Sequence, residues 1–234
     1  MQIRIGVAKV GRYASGESGD SVEVVERPRG GLSVVIVDGQ GHGRAAKRIS
    51  HQIAGKAAAL IGDGARDGAV MRAISDFLYT IRDGKVSATV SILTSDLEAR
   101  SLIVSRNSNC PVVVGHQDGS SCLDGGVNPI GVHKSNRPMI SHWPAYPGTV
   151  LVGFTDGIIN SGCHSKGQPF SMDEVFQLVR TDSPNPQMLA NRMLDMAVER
   201  DNGRPRDDML VAVLAMCDRE DALGTRQMTV NYPC

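Results

Sequence analysis

Neither sign of charge dominates this 234-residue chain: 25 Lys and Arg face 25 Asp and Glu, for a formal net charge of zero. That balance removes any global electrostatic pull toward nucleic acid or an anionic membrane surface, so neither is expected as a partner. No stretch approaches the roughly 20 continuous apolar residues that a membrane-spanning helix requires. The N-terminal run from Met1 to Val10 alternates apolar and polar residues and reads as a strand, not as a signal peptide. The cysteines, Cys110, Cys122, Cys163, Cys217 and Cys234, are odd in number, widely spaced and without a CxxC pair. This argues against structural zinc and a disulfide framework, and leaves small buried thiols, one tail residue and a reducing, cytoplasmic setting. Neither an internal repeat nor a low-complexity linker interrupts the chain. One domain over residues 1–217 is therefore expected, followed by a polar tail at 218–234.

Against these absences stands an ordinary globular composition, 41% hydrophobic and 21% charged. Residues 2–10 and 20–26 alternate as half-buried strands around a Gly/Ser-rich turn, Ser15 to Gly19. Leu32 to Val37 is apolar and β-branched, which suits a strand covered on both faces. Two helices are expected next, over 44–60 and 68–81, the second carrying Val70, Ile74, Phe77, Leu78 and Ile81 on one side. Strands follow at 87–94, 100–105 and 112–115, with Asp96-Leu97-Glu98 as a turn. The stretch 116–148 reads as loops with short strands, and Trp143 beside Pro144 as a loop anchor. A buried strand at 150–154, helices near 171–180 and 186–200 split at Ser183-Pro184, and a last apolar strand at 209–216 complete the pattern. Helices arriving in adjacent pairs among consecutive strands point to antiparallel sheets covered by helix pairs, an α+β arrangement.

Three apolar strands meet aspartate at an end: Val37-Asp38, Phe154-Thr155-Asp156 and Asp207-Asp208-Met209. A carboxylate against a buried strand pays a desolvation penalty unless a cation or donor compensates it. A single such case is usually a cap or a turn. Three that converge would raise one another's pKa values unless divalent cations bind. An oxygen-rich set suits magnesium or manganese, and two such ions about 4 Å apart clamp a phosphoryl group and ready a water for attack. Gly39 and Gly157, each directly after an aspartate, allow close backbone approach, and the Gly39 carbonyl is itself a candidate ligand.

The same residues carry a family resemblance. Asp38-Gly39-Gln40-Gly41-His42-Gly43 after its apolar strand resembles the Asp-Gly-x-Gly-His-Gly element of the PP2C-type (PPM) serine/threonine phosphatases, in their SpoIIE-like bacterial branch. Ser18-Gly19-Asp20 resembles that branch's Ser-Gly-Asp element, Thr155-Asp156-Gly157 its strand end, and Asp207-Asp208 the entry to its closing strand. Asn128-Pro129-Ile130-Gly131 is similar to its Pro-Leu-Gly turn. The motifs span 18–213 in family order, and the small size is similar to the RsbX-type, stressosome-resetting members. The resemblance implies a four-layer αββα sandwich and a binuclear Mn2+ or Mg2+ site. In it Asp38 would bridge both ions, with Asp156 and Asp207 completing the first. The Gly39 carbonyl and Asp20, directly or through water, would serve the second. It further implies hydrolysis of phosphoserine or phosphothreonine by metal-activated water, with phosphorylated STAS-domain signalling proteins as substrates.

Two departures from the family pattern matter. Gln40 holds the place where the eukaryotic branch has a histidine, so His42 is a weaker candidate for general acid than for a loop-shaping residue at a helix start. No arginine stands in Ala14 to Glu17, where the branch has a phosphate-binding one; Arg12 and Arg44 are the substitutes on offer. Three other readings compete. The loop Gly39 to Gly43 follows a strand and opens a helix as phosphate loops do, but its spacing is GxGxG and no GK[ST] occurs. A catalytically weak regulatory module is disfavoured by the presence of all four aspartates. Another carboxylate-metal phosphohydrolase, acting on diesters or nucleotides, would use the same chemistry. His51, His116, His133, His142 and His164 read as solvated or packing residues. The helices at 44–81 directly follow the metal loop, so a shift in them could reposition Gly39.

Overall fold

A computed structural model describes every residue except 117, 164–167, 183–184, 220–223 and 232–234. His164, Cys234 and the Ser183-Pro184 break thus lie outside the described residues. The chain runs β1 (Gln2–Val10), β2 (Asp20–Glu26), β3 (Gly31–Gly39), α1 (Gly43–Gly62), α2 (Asp67–Arg82), β4 (Ala88–Asp96), β5 (Ser101–Asn107), β6 (Val112–His116) and β7 (Gly119–Leu123). It continues through β8 (Met139–Pro144), β9 (Val150–Phe154), α3 (Asp156–Ile159), α4 (Met172–Asp182), α5 (Pro186–Arg200) and β10 (Met209–Cys217).

Two five-stranded antiparallel sheets form, ordered β1-β10-β9-β6-β7 and β2-β3-β4-β5-β8. The period-2 alternation of strand side chains then divides each central strand between two cores. On β3, Val35 and Val37 face α1 and α2, while Val34 and Ile36 face the other sheet. On β10, Met209, Val211, Val213 and Ala215 pack against α4 and α5, while Leu210, Ala212, Leu214 and Met216 fill the space between sheets. Three cores between four layers make the expected αββα sandwich. Both faces of β3, β9 and β10 are buried, which is why their sequences read as unbroken apolar runs.

α2 is locked to its sheet by more than apolar contact. Arg27 donates to Asp67 at 2.7 Å, to Ser33 Oγ at 2.9 Å and to the Ala65 carbonyl at 3.2 Å. Asp67 is buried and Arg27 largely so, with side chains 3% and 10% exposed. The apolar face of α2 is shifted from the expected one: Met71 joins Val70, Ile74 and Leu78 in the core, while Ile81 is 41% exposed. Phe77 instead receives Lys56 of α1 at 5.0 Å over its ring. Within 116–148, β7 and β8 are full edge strands, and Trp143 is a β8 residue stacked on His116 at 5.9 Å, not a loop anchor. The four described cysteines are free thiols, and no helix among the described residues is long and apolar enough to cross a membrane.

Candidate functional site

The antiparallel register sets Asp20, the first residue of β2, directly opposite Asp38 near the end of β3. Like charges facing each other across a strand pair repel, so this placement opposes folding unless something else compensates. From the second sheet, β9 ends at Phe154, Thr155 follows it, and Asp156 opens the single turn α3, a helix that the apolar pattern had not suggested. Asp207 stands just before β10, the neighbour of β9.

Asp38, Asp156 and Asp207 line one pocket of about 310 Å³, together with Arg12, Gln40, Gly41, His42 and residues 87–89. Burial, reinforced by the charges of Asp20, Asp156, Asp207 and Asp208, pushes the Asp38 carboxyl up to about 8. Burial and then Asp207 also raise Asp156. Asp20 does not line the pocket. It is 1% exposed and accepts a hydrogen bond from Thr155 Oγ1 at 2.8 Å, while burial still pushes it up to about 7.

The backbone around these carboxylates is tight. A Cβ on Gly157 would stand 2.1 Å from the Asp208 carbonyl oxygen, and one on Gly39 would stand 2.5 Å from that of Ala46 in α1. Only glycine lets these segments approach, and α1 thereby rests directly on Gly39.

Adjacent Asp207 and Asp208 do different work. Asp208 is 4% exposed and accepts from the backbone N–H of Arg12 at 2.9 Å and of Gly19 at 2.7 Å. It fastens both ends of the β1–β2 loop, so it is a scaffold residue, while Asp207 is the one left at the pocket. Gln40 likewise has a structural task. Its Oε1 accepts from the Ser87 N–H at 2.8 Å and its own N–H donates to the Ser87 carbonyl at 3.2 Å, extending the β3–β4 ladder into the loop.

Two residues escaped the sequence reading. Lys9 of β1 and Lys47 of α1 both donate to the Asp20 carbonyl, at 2.6 and 3.1 Å. Burial, then the like charge of Lys47, lowers the Lys9 ammonium to about 8. Thr155 also gains a role: its hydroxyl oxygen accepts from the Leu210 N–H at 3.0 Å and its proton goes to Asp20, so one side chain joins β9, β10 and β2. Of the two substitute arginines, Arg12 lines the pocket and Arg44 does not; His42 lines it as the residue before α1, without a side-chain cap bond.

The donor set is all oxygen, and its members destabilise one another's charge, which fits hard dications. Among the described residues, however, no three His, Cys, Asp or Glu groups stand close enough to make a ready-formed metal cage. Ions held here would therefore need water to complete their shells, as magnesium commonly does.

The sequence model of the family described as Stage II sporulation protein E (SpoIIE) matches residues 28–216. No curated protein sequence matches the chain. Among solved structures it is similar to the PP2C phosphatase domain, with a fragment of the regulatory domain, of the cell-fate determinant SpoIIE from Bacillus subtilis. There the TM-score is 0.78 at 20% identity, covering 92% of this chain and 63% of that one, so this chain spans under two thirds of that length. A serine/threonine phosphatase from S. agalactiae gives 0.75 at 13% identity, covering 92% and 100%. RsbX in complex with magnesium gives 0.69 at 15%, covering 92% and 95%. With the family matched over most of its length and the sandwich shared with these structures, the chain belongs to the SpoIIE family and has the fold of a PP2C-type phosphatase domain.

Proposed function

We propose that this chain is a metal-dependent protein serine/threonine phosphatase that dephosphorylates a bacterial signalling protein. One observation carries the reading: Asp38, Asp156 and Asp207, brought from three separate strand ends, line one pocket in which no carboxylate compensates another. Asp38, Asp156 and Asp207 would hold the ions, with Asp38 as the ligand the two would share; the Gly39 carbonyl, buried and outside the pocket lining, would join them only after a local shift. Asp20 would act on the second ion through water, since its carboxylate is tied to Thr155. Bound Mg2+ or Mn2+ would supply Lewis-acid neutralisation of the phosphoryl oxygens and a water acidic enough to be deprotonated near neutral pH. Arg12, exposed at the pocket rim, would hold a phosphate oxygen and orient the ester. Lys9 and Lys47 would offset the negative field behind Asp20. Because α1 rests on Gly39, movement of that helix would reposition a ligand and gate the site.

The substrates favoured are STAS-domain proteins of a stressosome phosphorylated on serine or threonine, which the resemblance to RsbX-type phosphatases supports. The free thiols fit a cytoplasmic setting, and residues 1–217 would form the phosphatase domain with 218–234 as tail. The test is hydrolysis of phosphorylated STAS proteins by the purified chain with manganese or with chelator, following serine and threonine sites separately. Asp38→Asn should abolish manganese-dependent turnover in a folded protein, because an amide cannot bridge two cations. Turnover that ignores the chelator, or that survives in this variant, would refute the assignment. Cleavage of diesters in place of phosphoproteins would move the chain to another phosphohydrolase class, and no turnover of either would leave a regulatory module.

A further inference from the structure

Between β7 and β8 the chain forms a backbone bridge to β4, where Ile130 donates to the Ala88 carbonyl at 2.9 Å and accepts from the Ala88 N–H at 3.2 Å. Ala88 also lines the metal pocket. On this loop lies a second cavity, of about 380 Å³, lined by the cations Lys134 and Arg137 together with His133, with no acidic residue among its lining. All three side chains are exposed and none forms an ion pair with a described residue; Lys134 lies over the Tyr79 ring at 5.5 Å. The loop is nevertheless shaped from beneath by buried donors. Asn107 donates to the carbonyls of Asn128 and Arg137 at 2.9 and 3.4 Å, and Asn136 to those of Asn128 and Pro129 at 3.3 and 2.8 Å. Arg106, 1% exposed, donates to the Gly125 carbonyl at 2.9 Å. Two lining carbonyls, those of Asn128 and Arg137, are thus already engaged by donors.

We propose that this basic cavity is a docking subsite for carboxylate side chains of the protein substrate, close to its phosphorylated residue. The inference rests on the phosphatase reading. Ala88 belongs both to the bridge with Ile130 and to the lining of the Asp38 pocket, so a protein presenting its phosphate there would lie beside this loop, and exposed cations on a braced loop suit flanking acidic residues. Free phosphate shares the oxyanion chemistry and is distinguished by the test.

The experiment uses labelled phosphoserine peptides with acidic flanks or with the matching amide flanks, and the acidic peptide without its phosphate. Binding is followed by fluorescence anisotropy, and turnover is measured with manganese. The full-length chain should favour the acidic phosphopeptide by about five- to tenfold in KM and Kd. A K134E/R137E double variant should lose that preference while its kcat on the amide peptide and its melting temperature stay unchanged. Equal binding of both flanks, or a preference that survives in the variant, overturns the proposal. So does inorganic phosphate that binds the cavity in a Lys134- and Arg137-dependent manner while the peptides show no preference. A preference intact without turnover of either peptide supports the docking subsite and removes the phosphatase reading instead.

Discussion

Replacing Asp38 by Asn should stabilise the metal-free protein, and increasingly so as pH rises. The Asp38 carboxyl titrates near 8 in the fold against about 3.9 in an unfolded chain. Between those values the folded state holds a proton that the unfolded state has lost, so stability falls with rising pH and levels out above about 8. One such group contributes a slope of about 1.4 kcal/mol per pH unit. From pH 6 to 7.5 that is about 2 kcal/mol, which partial exposure of Asp38 trims to about 1–2 kcal/mol. An amide carries no charge at any of these pH values and removes this share. Because 1 kcal/mol moves the melting temperature of a chain this size by about 2–4 °C, the variant should gain about 2–8 °C on wild type across that window. The assay is thermal unfolding in chelator at several pH values, then again with excess Mn2+. Metal should restore wild type by mass action and leave the variant largely unmoved. A gap that stays flat or narrows with pH, or a variant less stable than wild type at pH 7.5 in chelator, would show Asp38 to be an ordinary structural carboxylate.

Three other substitutions probe separate parts of the argument. Thr155→Val leaves the Leu210 N–H and the Asp20 carboxylate without their shared partner and should cost about 2–4 kcal/mol in denaturant unfolding, with Thr155→Ser restoring most of it. Arg27→Met strands the buried Asp67 carboxylate; a loss of about 3–5 kcal/mol is expected in the same measurement, and one below 1 kcal/mol would mean that water replaces the guanidinium. Arg12→Ala, at an exposed position, should leave the melting temperature unchanged and lower kcat/KM on para-nitrophenyl phosphate by about 10- to 100-fold, the worth of a charge-assisted contact.

How far the sequence discloses this molecule depends on how completely each segment is enclosed. β3, β9 and β10 lie between two cores, so both faces must be apolar and the runs are unmistakable. β7 and β8 are edge strands with half-exposed residues; nothing forces an apolar period on them, and Gly, His and Pro make them resemble loops. α3, four residues beginning Asp156-Gly157, is too short to carry a period. The three pocket aspartates were legible because a carboxylate ending a buried strand conflicts with its own surroundings. The lysines gathered at Asp20 were not legible. Lys9 sits in an alternating strand, where a lysine ordinarily marks the solvent side, yet it turns onto Asp20 beside Lys47. The chain's net charge of zero therefore conceals a local separation of sign: Lys9 and Lys47 gather at the Asp20 backbone, while Asp38, Asp156 and Asp207 share one pocket. Asp207 and Asp208 make the same point more sharply. Chemically identical neighbours in the bend before β10 take different partners, and the β1–β2 loop, reached through the N–H groups of Arg12 and Gly19, claims Asp208 and leaves Asp207 at the pocket.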